Sequence, residues 1–152
     1  MGDVYFYHLT RRSVEETLPP LLTRALAQGW HVALRGTDEA RLDRLDASLW
    51  QPGEAFLPHG RAGGSHDARQ PVLLTTGAAA NDPACVMAVD GAEVAPDEVA
   101  AMTRTCILFD GLDGGALSKA RAQWTALTEA GCAARYWSEE GGKWEEKATK
   151  NV

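Results

Sequence analysis

Trp30-His-Val-Ala-Leu34-Arg-Gly36-Thr37-Asp38-Glu39-Ala-Arg-Leu42-Asp-Arg-Leu45-Asp-Ala-Ser-Leu49-Trp50 carries the signature of a strand that turns directly into a helix. Residues 30–34 form a short apolar run of strand length, and Arg35-Gly36-Thr37 reads as the turn that closes it. Thr37 or Asp38 then caps a helix over residues 39–50. Ala40, Leu42, Leu45 and Leu49 make one apolar stripe on that helix, against an outer face of mixed charge. A strand that feeds a helix through a tight turn is half of a βαβ unit, and only parallel strands need such a crossover.

The pattern repeats on both sides. Upstream, residues 3–8 with Val4-Tyr-Phe-Tyr7 predict a buried strand. Ser13 and Glu16 have capping-box spacing and open a helix that Gly29 ends. Pro19-Pro20 falls inside it, so the helix is expected to begin near Thr17 or to break there. Downstream, residues 51–70 read as one long loop, anchored by Phe56-Leu57-Pro58 and mobile over residues 61–69. Strands are predicted at 71–75, 84–89, 104–109 and 132–137, with helices at 96–102 and 116–130. The tail after Trp137 is polar apart from Trp144 and is expected to fray. Alternation of strands and helices predicts α/β: a single three-layer Rossmann-like domain over residues 1–137 with a mostly parallel sheet, followed by a polar tail over 138–152.

Bulk properties narrow the function. The 152-residue chain can bury a real core, and its net charge of −6 disfavours a direct nucleic-acid function. No apolar run approaches the roughly 20 residues of a membrane span. The first residues lack the pattern of a signal peptide. Cys85, Cys106 and Cys132 are widely spaced within apolar runs, as reduced thiols of a cytoplasmic protein are. The four histidines lack metal-ligand spacing, and no metal and no cofactor are expected.

Sheets of this kind bind ligands at the carboxyl ends of their strands. None of the strand-end turns here is a G-x-G-x-x-G turn or a phosphate loop. Asp110 and Asp113 could ligate a metal, but Asp113 or a neighbour capping the next helix is the simpler reading. An enzyme or nucleotide binder using the loops at Thr37 and Asp110 is the alternative to an adaptor. Trp50 and Phe56 flank Pro52-Gly53 and either cap the core or line an apolar groove for a partner.

Several blocks together resemble one family. They are Phe6-Tyr-His-Leu-Thr10, Arg41-Leu-Asp-Arg-Leu-Asp-Ala-Ser-Leu-Trp50, Phe56-Leu-Pro-His59, Gln70-Pro-Val72, and Ala122-Gln-Trp124 ahead of Ala130-Gly131. In these the chain resembles the chi subunit of bacterial DNA polymerase III, from Val4 to about Trp137. The resemblance implies a non-catalytic accessory subunit that ties the clamp-loader complex to single-stranded DNA-binding protein. Its partners would be the psi subunit or another clamp-loader component, and the acidic, Phe-terminated tail of the binding protein, with DNA reached only indirectly.

Carried onto this sequence, the resemblance implies a tail site at Trp50, Arg121, Trp124 and Thr125. Arg121 would pair the terminal carboxylate, while Trp50 and Trp124 would wall a pocket for the Phe ring. Thr125 stands where relatives can carry Lys, and Lys119, Arg135 or Lys143 would have to supply the missing charge. Phe56 would face psi or the clamp loader.

Overall fold

The computed structural model describes residues 2–50 and 57–152. The deciding stretch forms β2 (Val32–Arg35) and α2 (Glu39–Leu49), and the Asp38 carboxylate caps the helix by accepting from the Ala40 N–H. Before them come β1 (Asp3–Leu9) and α1 (Val14–Ala27); after them come β3 (His59–Arg61), β4 (Val72–Thr75) and β5 (Cys85–Ala88). The chain continues through α3 (Pro96–Ala101), β6 (Arg104–Asp110), α4 (Gly114–Glu129), β7 (Ala133–Ser138) and β8 (Glu145–Lys150).

These strands form one sheet in the order β3-β4-β2-β5-β6-β1-β7-β8. Neighbours pair in parallel except β8, which runs antiparallel to β7. The alternating faces of the strands sort the core into two layers. One is built by α1 and α2, with Leu18, Leu22, Leu42 and Leu45 over Val32, Leu34, Leu74 and Leu108. The other is built by α3 and α4, with Val99, Ala120 and Leu127 over Val4, Phe6, Val86 and Ile107. The three-layer α/β reading therefore holds, and the central strands are buried on both faces, as their continuous apolar runs require.

Three local expectations are revised. First, α1 neither starts at Thr17 nor breaks at its prolines: it begins at Val14 and runs through Pro19 and Pro20. The Ser13–Glu16 capping box fixes its first turn, and burial of Leu18 and Leu22 holds the helix where the prolines supply no N–H.

Second, the long loop contains structure. Residues 59–61 pair with β4 as an edge strand. The mobile segment expected at 61–69 is instead a turn in which Gly63 and Gly64 donate their N–H groups to the Asp67 carboxylate (2.9 and 3.0 Å).

Third, the tail does not fray. Residues 145–150 extend the sheet beyond β7, Trp144 packs edge-on against Tyr7 (ring centroids 5.3 Å apart), and Asn151 donates to the carbonyls of Thr128 and Cys132. Glu139, 2% exposed, accepts from the backbone N–H groups of Thr10 and Arg12 and so ties the β7–β8 turn to the β1–α1 turn. Polarity suggested a free tail because β8 is an edge strand with exposed side chains on both faces, the charged pattern that blunts edge-to-edge pairing.

Candidate functional site

Helix α4 carries Arg121, Trp124 and Thr125. Asp113 caps it by accepting from the Gly115 N–H, and Asp110 accepts from the Leu112 N–H. The carboxylates at this strand end thus shape the turn and start the helix. Among the described residues no group of three or more metal-ligating side chains is gathered. At the other strand end singled out above, the Thr37 hydroxyl donates to the Asp90 carbonyl.

Trp124 is half-buried. Its indole meets Phe6 at 5.3 Å and Tyr136 at 5.8 Å, both edge-to-face. Tyr136 stacks in turn on Phe6, and its hydroxyl lies 2.6 Å from His8 Nδ1. Burial pushes the Tyr136 phenol up, and the nearby Arg121 guanidinium pulls it the other way. The middle of α4 thus presents an exposed cation beside a cluster of partly covered rings. Arg121 and Trp124, three residues apart, share a helix face. Thr125 is exposed beside them and carries no charge.

His8 and Tyr136, which carry no catalytic or ligand-binding motif, complete this cluster. The signal was the period-two pattern of β1 and β7, in which Phe6 and Tyr136 fall in register on the α4 side. His8 fits because residue 111 is glycine: a Cβ there would lie 1.9 Å from the imidazole.

Trp50 is elsewhere. It follows α2, on the opposite face of the sheet and near its other edge. It is 52% exposed and packs against His59, with ring centroids 4.1 Å apart and the rings tilted by 35°. The His59 ring is buried: Nδ1 lies 2.6 Å from the Leu57 carbonyl, and Nε2 lies 3.1 Å from the Asp46 carboxylate. His59 thereby fastens the end of α2 to the start of β3. The expected pocket walled jointly by Trp50 and Trp124 is not formed, because α2 and α4 cover opposite faces. Phe56 lies outside the described residues.

Of the cations named as substitutes for the missing lysine, Arg135 shares the face of Tyr5, away from Trp124, and pairs with Glu146 at 3.0 Å. Lys119 lies against Gly91. Lys143 is exposed in the turn before β8.

Residues 1–135 match the family described as DNA polymerase III chi subunit, HolC. No curated protein matches the chain. No helix among the described residues is long and apolar enough to cross a membrane.

Proposed function

Since the chain belongs to the DNA polymerase III chi subunit family, an accessory and not the catalytic part of that polymerase, we propose that it is a non-catalytic adaptor. It couples the clamp-loader assembly to the acidic C-terminal tail of single-stranded DNA-binding protein. The observation that carries this reading is the surface of α4, where exposed Arg121 stands beside half-buried Trp124 and its ring cluster. A tail that ends in Phe needs a cation for its carboxylate and an apolar wall for its ring. Arg121 supplies the first and Trp124 the second, with Thr125 at the rim.

The test is a calorimetric titration with a synthetic acidic peptide, with and without its terminal Phe. Expected is micromolar affinity, about −8 kcal/mol, that salt weakens and that removal of Phe, Arg121→Ala or Trp124→Ala abolishes. Unchanged affinity in both variants would sink the assignment.

Trp50 supports a second contact. Its indole is half-exposed on the face away from α4, and it precedes Phe56 in the chain by six residues. We assign this region to psi or another clamp-loader component. The two contacts of the adaptor then occupy opposite faces of the sheet and can be filled together. Co-purification of clamp-loader proteins with Trp50→Ala and Phe56→Ala variants checks this: retention equal to the unaltered chain in both would remove it.

A further inference from the structure

The face of the sheet that carries α1 and α2 is left open over β1 and β7. Two hollows of about 370 and 580 Å³ lie there, share Tyr7, Leu21, Arg24 and Arg104, and so form one groove. It follows α1 from the β7–β8 hairpin across β1 to β6 and β5. Tyr5 and Tyr7 make its floor, and Trp137 and Trp144 line the hairpin side. Trp30 stands at the far end, where the Arg104 guanidinium lies over the rings of Tyr5 (4.3 Å) and Trp30 (5.4 Å).

Arg12 and Arg24 line the α1 side and are exposed. Among the described residues, no carboxylate pairs with the side chains of Arg12, Arg24 or Arg104, whereas most other ion pairs of this acidic chain use arginine. The acid on the groove wall, Glu16, is committed to the capping box with Ser13. A chain of net charge −6 thus gathers in one channel five partly exposed aromatic rings and three arginines that, among the described residues, stand outside any ion pair.

We propose that this groove holds a short stretch of single-stranded nucleic acid. Arginines spaced along a channel take successive phosphates, and rings on a sheet face take bases without regard to sequence. A peptide fits less well. The main chain of β6, β1 and β7 is already spent on sheet pairing, so it offers an extended peptide no backbone partners. The net charge disfavours a long backbone footprint, which agrees with a contact confined to about three phosphates. The groove and Trp124 lie on opposite faces of the sheet, so this contact is independent of the α4 site.

The test uses the intact chain and a fluorescein-labelled dT oligonucleotide of about ten residues, followed by anisotropy at low salt. Expected is binding whose logarithm falls against log salt with a slope of about −2, three phosphates at −0.7 each. Arg24→Glu, an exposed change on α1, should weaken it by about fivefold or more and flatten that slope. Arg121→Ala should leave it unaltered. Absence of binding at low salt, or equal binding by Arg24→Glu and Arg104→Gln, would overturn the proposal. So would an acidic Phe-containing peptide that displaces the oligonucleotide and whose own binding needs Arg24, since the groove would then be a peptide site. Loss of peptide binding in Arg121→Ala, with oligonucleotide binding intact, separates this result from that on the tail site.

Discussion

Gly111 and Glu98 show how single residues hold the strand ends. A methyl group at residue 111 would overlap the His8 ring and press on the Leu9 carbonyl at 3.0 Å. Gly111→Ala should therefore destabilise the chain by about 2 kcal/mol, and His8→Ala should recover part of that loss. Urea unfolding of the two single variants and the double variant measures the coupling. Glu98 receives two hydrogen bonds from Arg35, at 3.0 and 2.6 Å, and these hold its carboxyl below the usual range.

Because the folded value is depressed, the pair contributes stability above the unfolded carboxylate value of about 4.3. That contribution disappears as pH falls through the lower folded value. Glu98→Gln should cost less than about 1 kcal/mol at pH 7, since the carboxylate is over a third exposed. The two proteins should converge in stability once the pH has fallen below that folded value. A difference that stays constant in melts from neutral to acid pH would show that Arg35 does not act through the charge of Glu98.

At the scale of elements, the two edges of the sheet are handled differently. The β3 edge is three residues long, and its Arg61 pairs with Glu39 and Asp43 of α2. Short length and fixed charge keep it from recruiting another strand. The β8 edge protects β7, which would otherwise expose a row of backbone groups beside Tyr136 and Trp137. Ending the chain after Ser138 would remove β8, the Trp144 contact with Tyr7 and the Glu139 clamp on the β1–α1 turn. The truncated chain should melt several degrees lower, consistent with a loss of about 2 kcal/mol, and should associate at high concentration. Light scattering and thermal melts on the two lengths check both outcomes, and an unchanged melting temperature would mean that β8 only decorates the edge.

For the whole molecule, the sheet acts as a partition. Trp50 and the α1 groove lie on one side, and Arg121 and Trp124 on the other. Changes on opposite faces, with no shared partners, should act additively. Trp50→Ala should lower retention of clamp-loader proteins and leave peptide affinity within twofold, while Arg121→Ala should do the reverse. A double variant whose peptide affinity falls well beyond that of Arg121→Ala would reveal coupling through the sheet.

The order of strands and helices was legible in the chain because each element carries its own period: the stripe of Leu42, Leu45 and Leu49 on α2, the Ser13–Glu16 box on α1, the unbroken apolar run of β5. Family membership was legible for a related reason, since the blocks Arg41 to Trp50 and Phe56 to His59 are each contiguous in sequence. Local signals of this kind fix elements but not which face of the sheet each helix covers. That depends on strand order, which is set by crossovers between distant segments. Trp50 and Trp124 therefore looked like walls of one pocket until the sheet separated them. The edge strands β3 and β8 escaped notice because an edge buries little and needs little apolar sequence. The groove along α1 was hidden for the same reason that makes it a site: its arginines and rings come from α1, β1, β2's approach, β6 and the final hairpin. Only tertiary packing brings them together.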